Sequence, residues 1–145
     1  MSMFFDSGGG TFRFKFQIDW RRGPKELRVA LKKLRSRALR EIAKSVRANA
    51  PHPSIAQSVR VSASQVRIDH PAAAVFEFGA KPHFPPLGPI REWAISVGKD
   101  PDSAFPVARA ISRRGLPEQP YIRPAIESAM TRVPQWLREI WEGGR

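Results

Sequence analysis

The apolar positions of this chain change period several times, and each change marks an element. Residues 11–19 alternate, with Phe12, Phe14, Phe16 and Ile18 set against Arg13, Lys15 and Gln17. That is the two-residue repeat of a half-buried strand with a basic outer face. After Gly23-Pro24 the repeat lengthens. Leu27, Leu31, Leu34, Ala38, Ile42 and Val46 fall three or four apart, which predicts one long amphipathic helix. Pro24 opens it at the first helical position, where a missing N–H costs nothing, and Asn49 and Pro51 stop it. A lone helix of this kind is marginal in water, so its stripe is expected to lie under a sheet. Val59 and Val61, then Val66 and Ile68, predict strands over 54–61 and 65–69 joined by a turn at Ser62-Ala63-Ser64.

The most constrained stretch is 74–86. Val75, Phe76 and Phe78 are β-formers with Glu77 the only charge among them, so 74–78 is expected to close an antiparallel meander. Glu77 then faces outward or pairs with a neighbouring arginine. Gly79 ends the strand because it can take a positive φ. Pro82, Pro85 and Pro86 remove backbone donors and fix φ, making a stiff extended arm that is aromatic at Phe84 and polar at Lys81 and His83.

Short helices are expected beyond it. One over 89–97 buries Ile90, Trp93 and Val97. Another, capped by Asp102 or Ser103, runs to Arg114 with Phe105, Ala108 and Ile111 inward. Pro124 starts a third, and Pro134 kinks it or starts a last one carrying Trp136, Leu137, Ile140 and Trp141 on one face. The expected fold class is α+β: an antiparallel sheet of about four strands against one long basic helix, with short helices and a C-terminal helical arm. The expected division is a flexible leader over 1–10, a single domain over 11–132 and the arm over 133–145.

Composition narrows the function classes. At 145 residues and 41% apolar, the chain can bury a modest core as one domain. Without cysteine it has no disulfide framework and no thiolate chemistry. No apolar run approaches a membrane span, and the start Met1-Ser2-Met3-Phe4-Phe5-Asp6 lacks the pattern of a secretory signal. A soluble, unsecreted protein is expected. The net charge of +12 is concentrated: eleven basic residues between Arg21 and Arg47 face only Glu26 and Glu41. Lys32, Lys33, Arg37, Arg40 and Lys44 could therefore form a face for an acidic partner or for DNA phosphates. A solvated outer helix face is the plainer explanation, since no helix-turn-helix, zinc knuckle or RNA-recognition motif accompanies it.

Catalytic patterns are missing from the sequence. His52, His70 and His83 have no second histidine or carboxylate at ligand spacing. No serine sits in a Gly-x-Ser-x-Gly frame, Gly8-Gly9-Gly10 lacks the Lys-Ser/Thr of a phosphate loop, and Glu77 has no partner carboxylate. The expectation is a protein without enzymatic activity, metal or cofactor.

Three blocks carry a family resemblance. Phe-Glu-Phe-Gly-Ala-Lys-Pro-His-Phe-Pro-Pro at 76–86 comes first, followed by Trp93 and Ala-Arg-Ala-Ile-Ser-Arg-Arg-Gly at 108–115, then Gln-Pro-Tyr-Ile-Arg-Pro-Ala-Ile at 119–126. In this order they resemble the neck or tail-completion proteins of long-tailed bacteriophages, over about residues 27–130. Ala50-Pro51 matches the start of a turn in that family, but His52-Pro53-Ser54-Ile55 replaces the remainder. The resemblance implies a virion structural subunit, assembled in the host cytoplasm, that forms a six-fold ring at the head–tail junction. Its role would be tail completion or tail termination. Its partners would be copies of itself, a head connector or stopper, and a tail tube or terminator protein. DNA would pass through the ring, and no membrane is involved. Gly79, Lys81, Pro82, His83, Phe84, Pro85, Pro86, Trp136 and Trp141 are the residues expected at protein contacts. The alternative from another class is a small basic nucleic-acid-binding protein.

Overall fold

The computed structural model describes the backbone of residues 2–6, 11–17 and 24–143, with side chains at Arg13 and over 24–143. The elements run β1 (Ser2–Asp6), β2 (Thr11–Gln17), α1 (Lys25–Asn49), α2 (Pro53–Ser58), β3 (Val59–Val61) and β4 (Gln65–Asp69). They continue with α3 (Ala73–Phe78), α4 (Leu87–Ser96), a 3₁₀ turn (Pro101–Ser103), α5 (Ala104–Arg114) and α6 (Ile122–Glu142).

The core forms where α1 meets α6 and the β3–β4 hairpin. From α1, Leu34, Ala38, Leu39, Ile42, Ala43 and Val46 are buried; from α6, Ile122, Ala125, Ile126, Ala129 and Trp136. Val59, Val66 and Ile68 close the cluster from the hairpin. Alanines at 38, 125 and 129 let the two long helices approach, while Trp136 fills the space between them. The hairpin register sets Val59 opposite Ile68 and Val61 opposite Val66, and Ser62 N–H closes the turn on Gln65 O at 2.9 Å.

The expected fold class is overturned. Helices make up most of the described chain, and among the described side chains the sheet gives the core only a two-strand antiparallel hairpin. β2 pairs antiparallel with the free edge of β4, and β1 pairs with β2, giving the order β1-β2-β4-β3. The strand expected at 74–78 is absent from it, because those residues are α3. The edge of β4 that it would have closed is taken by β2, and Ser2–Asp6, within the stretch expected to be a leader, pairs beside β2; residues 7–10 lie outside the described residues. The α1 stripe is covered chiefly by α6 instead of by a sheet, and Leu27 and Leu31 are only half-buried.

Three other expectations need correction. Residues 54–61 do not form one strand: His52 caps α2 by accepting Ser54 N–H at Nδ1 (3.2 Å), and only Val59–Val61 is extended. α6 runs as one helix from Ile122 through Pro134 to Glu142, so no separate helical arm begins at 133. In α4 and α5 the inward positions are alanines (Ala94, Ala104, Ala108) with Ile111, while Val97 and Phe105 point outward. The expected alternation of Phe12, Phe14, Phe16 and Ile18 falls on side chains outside the described residues. Register alone places Phe12 opposite Ile68 and Phe14 opposite Val66.

Candidate assembly interface

Between α3 and α6 the chain leaves the core, builds α4, the 3₁₀ turn and α5, and returns. This excursion, residues 80–116, is clamped at its base. Ala80 N–H donates to Leu116 O at 2.9 Å and Leu116 N–H donates to Ala80 O at 2.8 Å. Gly79 and Gly115 flank the clamp with φ of 70° and 71°. A Cβ on Gly79 would lie 2.6 Å from Leu116 O, and one on Gly115 would collide with Ala80 O, so the two crossing backbones leave room only for glycine. One residue group further in, Gln119 N–H donates to Phe76 O at 2.7 Å.

Glu77 anchors the base from inside. It is buried at 2% exposure and aims at the start of α6. Oε2 accepts Tyr121 N–H at 2.9 Å and Ile122 N–H at 2.8 Å, and Oε1 accepts Arg123 N–H at 2.9 Å. These are the orphan donors of a helix N-terminus, and a carboxylate there also meets the positive end of the helix dipole. This is why 73–78 is helical: α3 places Ala73 and Glu77, four apart, on the same buried side. Glu77 is therefore neither outward nor paired with an arginine. Beside it Tyr121 is buried, and its phenol is pushed well above the ordinary tyrosine range, first by burial and then by the charge of Glu77.

The excursion turns large apolar groups outward. Its small buried cluster is made of alanines and Ile111, whereas Phe84, Ile95 and Phe105 are each more than half exposed. Phe84 and Phe105 meet with ring centroids 6.2 Å apart at 57°, joining the proline arm to α5. Along the arm Lys81, Pro82, His83 and Pro86 are exposed, Gly79 and Pro85 half-buried, and α4 begins at Leu87. His83 Nδ1 lies 2.8 Å from Lys81 O, a local bond that stiffens the arm further. The sequence pointed to the arm; it did not point to Phe105, which was expected inward.

The two C-terminal tryptophans part company. Trp136 is 1% exposed and belongs to the core, so its expected place at a protein contact is corrected. The guanidiniums of Arg37 and Arg132 lie 5.3 and 5.2 Å from its ring centroid. Arg37 also donates to Glu139 Oε2 at 2.6 Å, and that bond, with Gln135, holds the Glu139 carboxyl below the usual range. Arg37 is thus an α1–α6 strut, not part of a free basic face. Lys32, Lys33, Arg40 and Lys44 remain exposed. Trp141 is 46% exposed and, with Val29, Ala30, Lys25, Lys33 and Ile140, lines a crevice of about 380 Å³ between the start of α1 and the end of α6.

Among the described residues no group of three His, Asp or Glu converges as a metal site. His52 and His70 instead approach Ser54 from two sides. Among the described residues no helix is long and apolar enough to cross a membrane. Compared with known proteins, the chain matches no family model, no curated protein and no solved structure.

Proposed function

We propose that this chain is a structural subunit of a phage head–tail junction, acting by assembly with copies of itself into a ring and making or breaking no bond. In this reading the ring joins a head connector or stopper to a tail tube or terminator, is built in the host cytoplasm, and lets DNA pass. The observation that carries it is the Phe84–Phe105 pair. Isolated apolar groups on a surface are ordinary. Here two phenyl rings touch each other, each more than half exposed, on a module whose own buried cluster is mostly alanine. A stiff proline arm beside them loses little entropy on docking, and a ring requires two different surfaces of one chain to meet.

The test is the mass of the purified protein in solution together with its presence in purified particles. An oligomer of closed symmetry, and recovery from virions, are expected. Phe84→Ser combined with Phe105→Ser should give a folded monomer, and in infection tailless heads or unjoined tails. A wild-type chain that stays monomeric at high concentration and is missing from particles would overturn the reading. The exposure of Lys32, Lys33, Arg40 and Lys44 on α1 favours a second reading, a basic protein binding nucleic-acid backbone without reading sequence.

A further inference from the structure

Two histidines and two serines form one continuous hydrogen-bond chain that runs from the β4–α3 junction through α2 to α4. Ala72 N–H donates to His70 Nδ1 at 3.2 Å, which leaves the ring hydrogen on Nε2, 3.0 Å from Ser54 Oγ. Ser54 N–H donates to His52 Nδ1 at 3.2 Å, and the Ser54 hydroxyl, 2.7 Å away, donates to the same nitrogen. His52 therefore also carries its hydrogen on Nε2, 3.2 Å from Ser96 Oγ in α4, and Ser96 O–H closes on Trp93 O at 2.7 Å. Ser54 N–H and O–H share the one lone pair of His52 Nδ1, and the donors all point the same way along the chain.

That polarity has a consequence. Each Nδ1 faces a backbone N–H, so each ring is an acceptor only while neutral. A second proton on either ring would set N–H against N–H at Ala72 or at Ser54, two positions where the backbone depends on that acceptor. His52 cannot turn away from Ser54 without also releasing Ser96. We propose that His70, Ser54, His52 and Ser96 form an acid-sensitive latch that fixes the α4–α5 excursion against the core and lets go when the imidazoles charge.

The facing groups favour this. His70 is approached by Ser54 and His52 from α2, while the nearest carboxylate in sequence, Asp69, is paired with Arg67 at 2.7 Å. Partial burial first, and His52 second, lower the His70 imidazole below its ordinary value. The direction is that of a switch closed at neutral pH: a depressed histidine contributes stability above its unfolded value of about 6.5, and that contribution is lost as pH falls through the folded value. The role assigned to the latch, control of the Phe84–Phe105 face, rests on the assembly reading above; the latch itself does not.

The experiment is amide hydrogen exchange on the full chain, held monomeric by dilution, between pH 8 and pH 5 and corrected for intrinsic rates. Ser54, Ala72 and residues 87–97 should lose protection together, at least tenfold, with a midpoint below 6.5. In His52→Asn/His70→Asn, each amide oxygen can replace Nδ1 as acceptor but cannot titrate, so the loss should shrink to less than twofold. An unchanged pH response in the double variant would sink the latch. If that variant does not fold, imidazole ¹⁵N shifts of the wild type decide. Both rings should be Nε2–H tautomers, and an Nδ1–H ring, or a His70 midpoint at or above 6.5, overturns the proposal. Oligomerisation measured in parallel separates the two ideas. A pH-sensitive monomer that never assembles refutes only the ring, and a pH-indifferent monomer that assembles refutes only the latch.

Discussion

Glu77 does more for this fold than its neighbours in sequence suggest. Three backbone N–H groups at the head of α6 end on its carboxylate, those of Tyr121 and Ile122 fully buried and that of Arg123 partly so. Glu77→Ala would leave the Tyr121 and Ile122 N–H groups buried without an acceptor and should cost on the order of 3 kcal/mol, read as a lower denaturant midpoint at unchanged slope. Glu77→Gln keeps the shape and one acceptor and should lose less. Tyr121 reports on the same spot, and it is the only tyrosine in the chain. With its phenol raised by burial and by Glu77, the folded state holds the proton that the unfolded state gives up at about pH 10. Stability is therefore intact below pH 10 and falls above it, and phenolate absorbance should rise together with loss of helix signal. A reversible titration near pH 10 in a still-helical protein would contradict this. The sequence exposes little of the arrangement. Gly79 and Gly115 are legible as breakers, but the partners of Glu77 lie 44 to 46 residues away, and no local pattern encodes such a distance.

The helices were legible where one face carries a long regular stripe, and misread where a tertiary partner decides. α1 follows directly from its three-and-four spacing. β4 follows from Val66 and Ile68. α3 does not, because Val75, Phe76 and Phe78 favour a strand until the head of α6 needs a carboxylate that only a helical turn delivers. α2 is similar: His52 accepts the first amide of a turn that Val59 and Val61, just beyond it, hide. Pro134 reads as a kink or a new start, and α6 continues through it as one helix. Burial of Ile126 and Ala129 before it and Trp136 after it, all against α1, offsets a proline cost of about 3 kcal/mol. The two tryptophans should therefore respond differently. Trp136→Ala should destabilise by about 3–5 kcal/mol, as a large aromatic removed from a core. Trp141→Ala should stay within about 0.5 kcal/mol, as an exposed site does. Equal destabilisation in thermal melts would mean that α6 does not pack as one helix.

Taken as one body, the molecule is a helical core with a positive flank and an aromatic excursion, and these two surfaces call for different partners. The charge excess of α1 is offset only at Arg37, which binds Glu139 of α6, whereas Arg132 from α6 stands 3.8 Å from Glu41 and so occupies one of the few carboxylates of α1 itself. Lys32, Lys33, Arg40 and Lys44 stay in solvent, where a monomer gains nothing from them beyond solubility. If the chain acts through the Phe84–Phe105 face, replacing all four with glutamine should leave its oligomeric mass unchanged. DNA binding should be weak before the change and weaker after it. The slope of log affinity against log salt should fall by up to about four, one for each phosphate that is no longer neutralised. If the chain instead works by gripping nucleic acid, the wild type should bind duplex tightly at low salt with a steep slope. The quadruple variant should then lose that binding while Phe84→Ser/Phe105→Ser keeps it. The two variants thus act on separate surfaces of the same fold, and whichever one abolishes the activity of the protein identifies the surface through which it works.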